Sequence, residues 1–136
     1  LTNQPLTVQG DGSQSRTLCF VTDILDGLQT VITKGIPGEV YNLGSDQSIT
    51  VKNFAIKVIK LSGSLSGIEY VPRPAHDHAS RMPVLDKIRA FGWNNQVDLT
   101  TGLKATIEDF RRRLELKLKP TIELAEEAEA EGVLTR

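Results

Sequence analysis

The chain has few of the residues that disulfide-stabilised, metal-binding and membrane-spanning proteins depend on. Its 136 residues include one cysteine, Cys19, and two histidines. A single cysteine cannot form an intrachain disulfide, and no Cys/His cluster has zinc-site spacing, so we expect no metal site and a reducing, cytoplasmic compartment. No apolar run approaches the roughly 18 to 20 residues that cross a bilayer. We therefore predict no membrane span.

The net charge is close to zero, which limits the partners that the chain could attract through its overall field. Sixteen basic residues oppose seventeen acidic ones, for a net charge of −1. Domains that bind nucleic acids usually carry an excess of positive charge, so we expect no nucleic-acid partner. An anionic ligand would instead be held by a few placed arginines. The hydrophobic fraction of 39% and the charged fraction of 24% are ordinary for one globular domain.

Apolar periodicity predicts an α/β chain with about four helices and a few short strands. The helices are predicted at about residues 23–34, 51–62, 84–91 and from 99 to the proline at 120. Thr22 and Thr50 are suitable N-caps for the first two helices, and Gly63 is a suitable stop for the second. Short apolar runs predict strands at residues 17–21, 39–44 and 68–71. Three prolines make residues 72–83 a loop.

The last predicted helix has one apolar seam and a strongly charged end. The seam consists of Leu99, Leu103, Ile107, Phe110 and Leu114. Trp93, just before this helix, is expected to pack as an aromatic anchor. Beyond Pro120, where the helix is predicted to break, residues 121–132 hold five glutamates and no basic residue. This tail is either an exposed acidic helix or a solvated extension.

The sequence Gly10-Asp11-Gly12-Ser13-Gln14-Ser15 begins like a G-x-G-x-x-G dinucleotide loop. Its last position is serine, however, and a predicted strand follows it. A phosphate cradle requires a helix N-terminus directly after the glycines. We therefore interpret this segment as a tight turn.

Four motifs follow one another along the chain. They are residues 6–23, Tyr41-Asn42-Leu43-Gly44, Arg73-Pro74-Ala75-His76-Asp77, and Phe91-Gly92-Trp93 with Leu99-Thr100-Thr101-Gly102-Leu103. In this order they resemble the NAD-dependent sugar-nucleotide epimerases, dehydratases and decarboxylases, which are extended short-chain dehydrogenases. The third motif resembles a loop of dTDP-glucose 4,6-dehydratases, whereas Arg81-Met82-Pro83 resembles a step of UDP-glucuronate decarboxylases. The resemblance covers residues 4–114 and leaves both subfamilies open.

The resemblance implies the C-terminal part of an extended Rossmann-type enzyme, without its dinucleotide-binding half. Residues 1–116 would form the nucleotide-sugar-binding portion and residues 117–136 a charged extension. The family oxidises the sugar with bound NAD, uses the ketone to enable decarboxylation or dehydration, and returns the hydride. The chain lacks the Tyr-x-x-x-Lys pair that performs proton abstraction in that family. We therefore predict no catalytic residue, no NAD binding and no turnover for this chain alone.

The resemblance also implies five substrate-binding residues, which are Gln9, Arg16, Asn42, Arg73 and His76. Arg16 matches an arginine that contacts the nucleotide, although by itself it would be a solvated side chain. Asn42 matches an asparagine that reaches the nucleotide, or it closes its own strand end. Arg73 and His76 match residues near the diphosphate, although His76-Asp77-His78 could equally be an exposed loop. Gln9 stands where most members have a tyrosine that stacks near the nucleotide.

Partners follow from the same resemblance, and a second function stays open. The chain begins at Leu1 without an initiator methionine, so we expect a processed, trimmed or partly covered product. Its expected partners are a nucleotide sugar and a missing N-terminal Rossmann half or partner chain, within a homo-oligomeric parent enzyme. The alternative is a non-catalytic relic of this fold that acts as a structural or interaction subunit.

Overall fold

The computed structural model describes the backbone of residues 1–130 and the side chains of residues 1–115. The elements are β1 Leu6–Gln9, β2 Ser15–Thr17, α1 Val21–Lys34, β3 Ser48–Thr50, α2 Val51–Ser62, β4 Ile68–Val71, α3 Asp86–Arg89 and α4 Leu99–Ala130. Short strands and four helices confirm the predicted α/β class.

Two small sheets are formed by strands that lie far apart in the sequence. β1 pairs in parallel with β4, and Gln9 lies opposite Val71. β2 pairs antiparallel with β3, and Ser15 lies opposite Thr50. The long connection between β1 and β4, which contains α1 and α2, is what a parallel pairing requires. This pairing places the ends of β1 and β4 side by side, and the 10–14 turn and the 72–83 loop both start there.

α2 is bounded by the two residues that its sequence predicts. Thr50 Oγ1 accepts a hydrogen bond from the Asn53 backbone N–H at 3.2 Å. Gly63 ends the helix with a left-handed φ of 65°, a conformation that glycine adopts without steric cost. Both signals act within one turn of the backbone, so the local sequence is sufficient to locate them.

The main buried cluster consists of Leu85, Ile88 and Trp93. As predicted, Trp93 is packed, with 6% of its surface exposed. Its indole N–H donates to the backbone carbonyl of Asp23 at 3.0 Å, and the Asp23 carboxylate accepts from the Val97 N–H at 3.0 Å. Buried Asp23 thus fastens α1 to the segment that precedes α4.

Two of the predicted strands are wrong or misplaced. Residues 39–44 lie outside any strand, and Val40 is 77% exposed. A strand requires a hydrogen-bonded neighbour, and no strand pairs with this segment within the described residues. The strand predicted at residues 17–21 lies earlier, because β2 ends at Thr17 and α1 begins at Val21. The sequence did not predict β1 and β3, because strands this short form only where a distant strand lies beside them.

Two helices begin or end differently from their predictions. α1 begins at Val21, with Phe20 instead of Thr22 as its N-cap, because the first backbone bond runs from the Ile24 N–H to the Phe20 carbonyl. α3 is shorter than the predicted span of 84–91. It ends in tight turns, in which the Gly92 N–H donates to the Arg89 carbonyl at 2.9 Å, and such bonds between residues three apart do not extend an α-helix.

α4 continues where the sequence predicted a break. The backbone remains helical through Pro120 to Ala130, since a helix can accommodate an internal proline by a kink instead of a break. Of the two predicted forms of the 121–132 tail, the helix is therefore the one observed up to Ala130, and the last two positions lie outside the described residues. Phe110 was expected on the buried seam but is 54% exposed.

Candidate functional site

The 72–83 loop returns across β2 and brings its charged residues next to that strand. The Ser15 N–H donates to the Ala79 carbonyl at 2.9 Å, and the Ser15 hydroxyl donates to the Ser80 hydroxyl oxygen at 3.0 Å. These bonds join positions more than 60 residues apart in the sequence. As predicted, residues 72–83 contain neither helix nor strand.

Two arginines meet on one carboxylate at the junction of this loop with β2. Arg16 Nη2 donates to Asp77 Oδ1, and Arg73 Nε donates to Asp77 Oδ2 at 3.1 Å. Each arginine side chain is 32% exposed, whereas that of Asp77 is 16% exposed. The structure therefore brings Arg16 and Arg73 into one partly exposed cluster, in which two guanidinium groups share one carboxylate.

Backbone carbonyls accept further hydrogen bonds from the two guanidinium groups. Arg16 Nη1 donates to the carbonyl of Ser15 at 2.7 Å and to that of His78 at 3.0 Å. Arg73 Nη2 donates to the carbonyl of Asp77 at 3.2 Å. A guanidinium group has five N–H donors in a fixed plane, so these bonds orient both groups and leave further donors for a ligand.

The 10–14 turn forms one wall of this cluster. Gly10 has a φ of 64°, and a Cβ placed there would lie 3.3 Å from Arg73 Cβ and Cδ. The Gln14 side-chain amide donates to the Gln9 carbonyl at 2.8 Å across the turn. The Ser13 hydroxyl and N–H donate to the Asp11 carboxylate and lower the pKa of Asp11 below 3.8. β2, and not a helix, follows the turn, as the sequence predicted.

The other predicted binding residues lie on three different parts of the fold. Gln9 is the last residue of β1 and is exposed, next to Gly10. His76 is exposed on the same loop as Arg73 and makes no hydrogen bond within the described residues. Asn42 lies on the 39–44 segment, and its side-chain amide donates to the Val84 carbonyl at 3.1 Å.

Sequence reasoning overlooked the contribution of Asp77. The residue belongs to the Arg73–Asp77 motif, and the sequence predicts it as an exposed loop residue, but its side chain is mostly buried between the arginines. Its spacing of four residues from Arg73 was a usable signal for that one ion pair. No local signal connects it with Arg16, which lies 61 residues away.

The cluster has the chemistry to hold an anion. Paired guanidinium groups suit phosphate oxygens, because each can donate two parallel charge-assisted hydrogen bonds. The described part of the chain contains no group of three side chains placed to bind a metal ion.

Comparison with known families now adds to this geometry. Residues 1–44 match the NAD dependent epimerase/dehydratase family, and they include β1, β2 and α1. The chain is homologous to this family. This match includes two of the four sequence motifs, and the longer matches to individual relatives confirm the expected resemblance.

Individual members of the family match most of the chain. UDP-glucuronic acid decarboxylase 1 of Danio rerio is 36% identical over 116 residues, which are 85% of this chain and 28% of the relative. An epimerase from Methanothermobacter thermautotrophicus has 32% identity and a TM-score of 0.79, covering 86% of this chain and 36% of that structure. dTDP-glucose 4,6-dehydratase from Bacillus anthracis, solved in complex with NAD, has 30% identity and a TM-score of 0.74, covering 82% of this chain and 36% of that one.

The family relatives are much longer than the matched region. The chain spans about a third of the length of the curated relatives and solved structures that it matches. None of the helices in the described part combines the length and the apolar character that a membrane span needs.

Proposed function

We propose that residues 1–116 bind the diphosphate of a UDP- or dTDP-sugar, as the nucleotide-sugar-binding portion of an NAD-dependent decarboxylase, dehydratase or epimerase. The observation that carries this proposal is the convergence of Arg16 and Arg73 on Asp77. Two guanidinium groups held side by side match two linked phosphates better than a single charge would. The names of the relatives, which act on UDP- and dTDP-linked sugars, supply the substrate class.

The remaining substrate contacts follow from position in the fold. His76 lies on the loop between Arg73 and Asp77 and is exposed, so we propose that a ring N–H of its imidazole adds a donor to the phosphates. Gln9 adjoins Gly10 at the wall of the cluster and would face the nucleoside. Asn42 is held by the Val84 carbonyl and would contribute from the neighbouring 39–44 segment. We propose residues 117–136 as an extension outside this site.

We propose that NAD and the reacting groups belong to a part of the enzyme outside these 136 residues. The one glycine-rich segment of the chain does not fit the cofactor. A Cβ at Gly12 would lie 2.8 Å from both Lys52 Cβ and Val8 Cγ1. The Gly12 carbonyl also accepts a hydrogen bond from the Lys52 N–H. Protein already fills the position where a Cβ of this residue would lie, which leaves no room for a phosphate on that side of its backbone.

The exposed face of α1 supports a partner that carries the cofactor. Its apolar residues Val21, Leu25, Leu28 and Ile32 are 59%, 58%, 47% and 83% exposed. They recur at intervals of three and four, so they share one side of the helix. We propose that this face, together with the unpaired 39–44 segment, packs against the dinucleotide-binding half in a homo-oligomeric parent enzyme.

Calorimetric titration of the chain with UDP and dTDP tests the proposal. Arg16→Gln and Arg73→Gln should each weaken binding by roughly ten- to a hundredfold, the loss of one charge-assisted contact of about 1.5–3 kcal/mol. Arg89→Gln is the matched control, because Arg89 forms a comparable surface ion pair with Asp46 at 2.7 Å. Equal affinities for all three variants would contradict the assignment, as would saturable NAD binding to the chain alone.

The exposed α1 face also favours a second function, that of a non-catalytic interaction subunit. An apolar helix face serves such a subunit without any nucleotide site. The same titration distinguishes the two functions. An interaction subunit would bind neither UDP nor dTDP, but it would still associate with a partner through α1.

A further inference from the structure

We infer that Asp77 is a positioning residue, whose carboxylate sets the spacing and orientation of the two phosphate-binding arginines. This inference rests on the proposed function of the cluster. Asp77 uses both oxygens, Oδ1 for Arg16 and Oδ2 for Arg73. Because one planar carboxylate carries both oxygens, the two guanidinium groups are held next to each other. Without the carboxylate, two like charges at this range would repel and separate.

Asp77 is more buried than the two arginines, so its carboxylate leaves guanidinium donors available to a ligand. Its side chain is 16% exposed, half the 32% of either arginine. Within the described residues no hydrogen bond uses Arg16 Nε or Arg73 Nη1. An approaching diphosphate therefore meets exposed guanidinium donors before it meets the carboxylate.

The backbone around Asp77 fixes the carboxylate in turn. Its N–H donates to the Pro74 carbonyl at 3.2 Å, which closes a turn over residues 74–77. The next carbonyl, of His78, accepts from Arg16, and the carbonyl of Ala79 accepts from Ser15. Three successive residues of the loop are thus anchored, so the carboxylate is held by the fold and not by its ion pairs alone.

Binding of UDP and UMP to the 136-residue chain tests the inference. Asp77→Asn keeps the size of the side chain but loses the second acceptor, so UDP affinity should fall roughly threefold to tenfold, which is the lower part of the range for directly coupled groups. The UDP/UMP affinity ratio should also fall, because a monophosphate needs less of the paired geometry. A merely structural role would weaken both ligands alike. Asp46→Asn, which removes the carboxylate of the Arg89 ion pair, should change neither quantity.

A second variant separates the position of the carboxylate from its charge. It also means that the test does not depend on whether one variant folds. Asp77→Glu preserves the charge but moves both acceptors by one methylene group, so positioning predicts a loss of UDP affinity here too. Wild-type affinity in Asp77→Glu, or tighter UDP binding in Asp77→Asn, would overturn the inference. If the wild-type chain bound no UDP, the proposed function itself would fail. If Arg16→Gln and Arg73→Gln weakened UDP binding while both Asp77 variants did not, only the positioning role would fail.

Discussion

Replacing Gly12 by alanine should destabilise the chain far more than the same replacement at Gly63. Both glycines have left-handed backbones, with φ values of 74° and 65°. They differ in their surroundings. A Cβ at Gly12 would lie 2.8 Å from Val8 Cγ1 and 3.0 Å from the Lys52 backbone nitrogen, whereas a Cβ at Gly63 would meet nothing within 4 Å.

The two substitutions share one cost and differ in the other. A left-handed alanine costs about 1–2 kcal/mol relative to glycine, and both variants incur this. Crowding in a packed site adds about 1–3 kcal/mol at Gly12 alone. Relief by moving a side chain is restricted there, because one contact is with backbone and Val8 is 1% exposed. We expect losses of about 2–5 kcal/mol for Gly12→Ala and about 1–2 kcal/mol for Gly63→Ala.

Urea denaturation followed by circular dichroism measures both free energies of unfolding. The Gly12 variant should in addition weaken UDP binding, because the 10–14 turn contacts Arg73 through Gly10. Gly63 ends α2 and has no part in that wall, so its variant should retain wild-type affinity. Equal destabilisation by the two alanines would refute the packing argument and leave backbone conformation as the sole cause.

Three further outcomes follow from individual contacts. Trp93→Phe removes the indole donor to the buried Asp23 carbonyl, which lies within α1 and keeps its helical backbone bond, so urea denaturation should show a loss of about 0.5–1.5 kcal/mol. In the isolated chain the exposed apolar face of α1 should favour association between copies, so Ile32→Gln should reduce self-association in analytical ultracentrifugation and change stability by less than about 0.5 kcal/mol. The Thr101 hydroxyl lowers the pKa of Asp98 below 3.8, so the contribution of Asp98 is present above that pH and is lost as pH falls through the lowered pKa. Asp98→Asn should therefore flatten the acid limb of the stability curve.

Matched variants give each of these outcomes a reference. Leu65→Gln replaces another apolar side chain, 90% exposed and outside α1, and should leave self-association unchanged. Asp26→Asn alters an exposed carboxylate on α1 and should preserve the acid limb. An unchanged urea midpoint for Trp93→Phe would mean that the indole hydrogen bond to Asp23 contributes no net stability.

The sequence by itself determined the elements whose signals lie within a few residues. Thr50 and Gly63 bound α2 because a cap and a left-handed glycine act on the nearest backbone groups. Prolines at 72, 74 and 83 exclude helix from the loop between them for an equally local reason. The ordered motifs also indicated the family resemblance, since they are read along the chain without any contact.

Tertiary structure alone decided the strand pairing and the composition of the arginine cluster. The 39–44 run and β4 are both short apolar segments, yet only β4 forms a strand, because β1 lies beside it. Arg16 and Arg73 could be named as separate candidates, but their junction on Asp77 arises when the 72–83 loop crosses β2. Pairing and charge convergence depend on which distant segments lie within hydrogen-bond reach, and no local pattern encodes that distance.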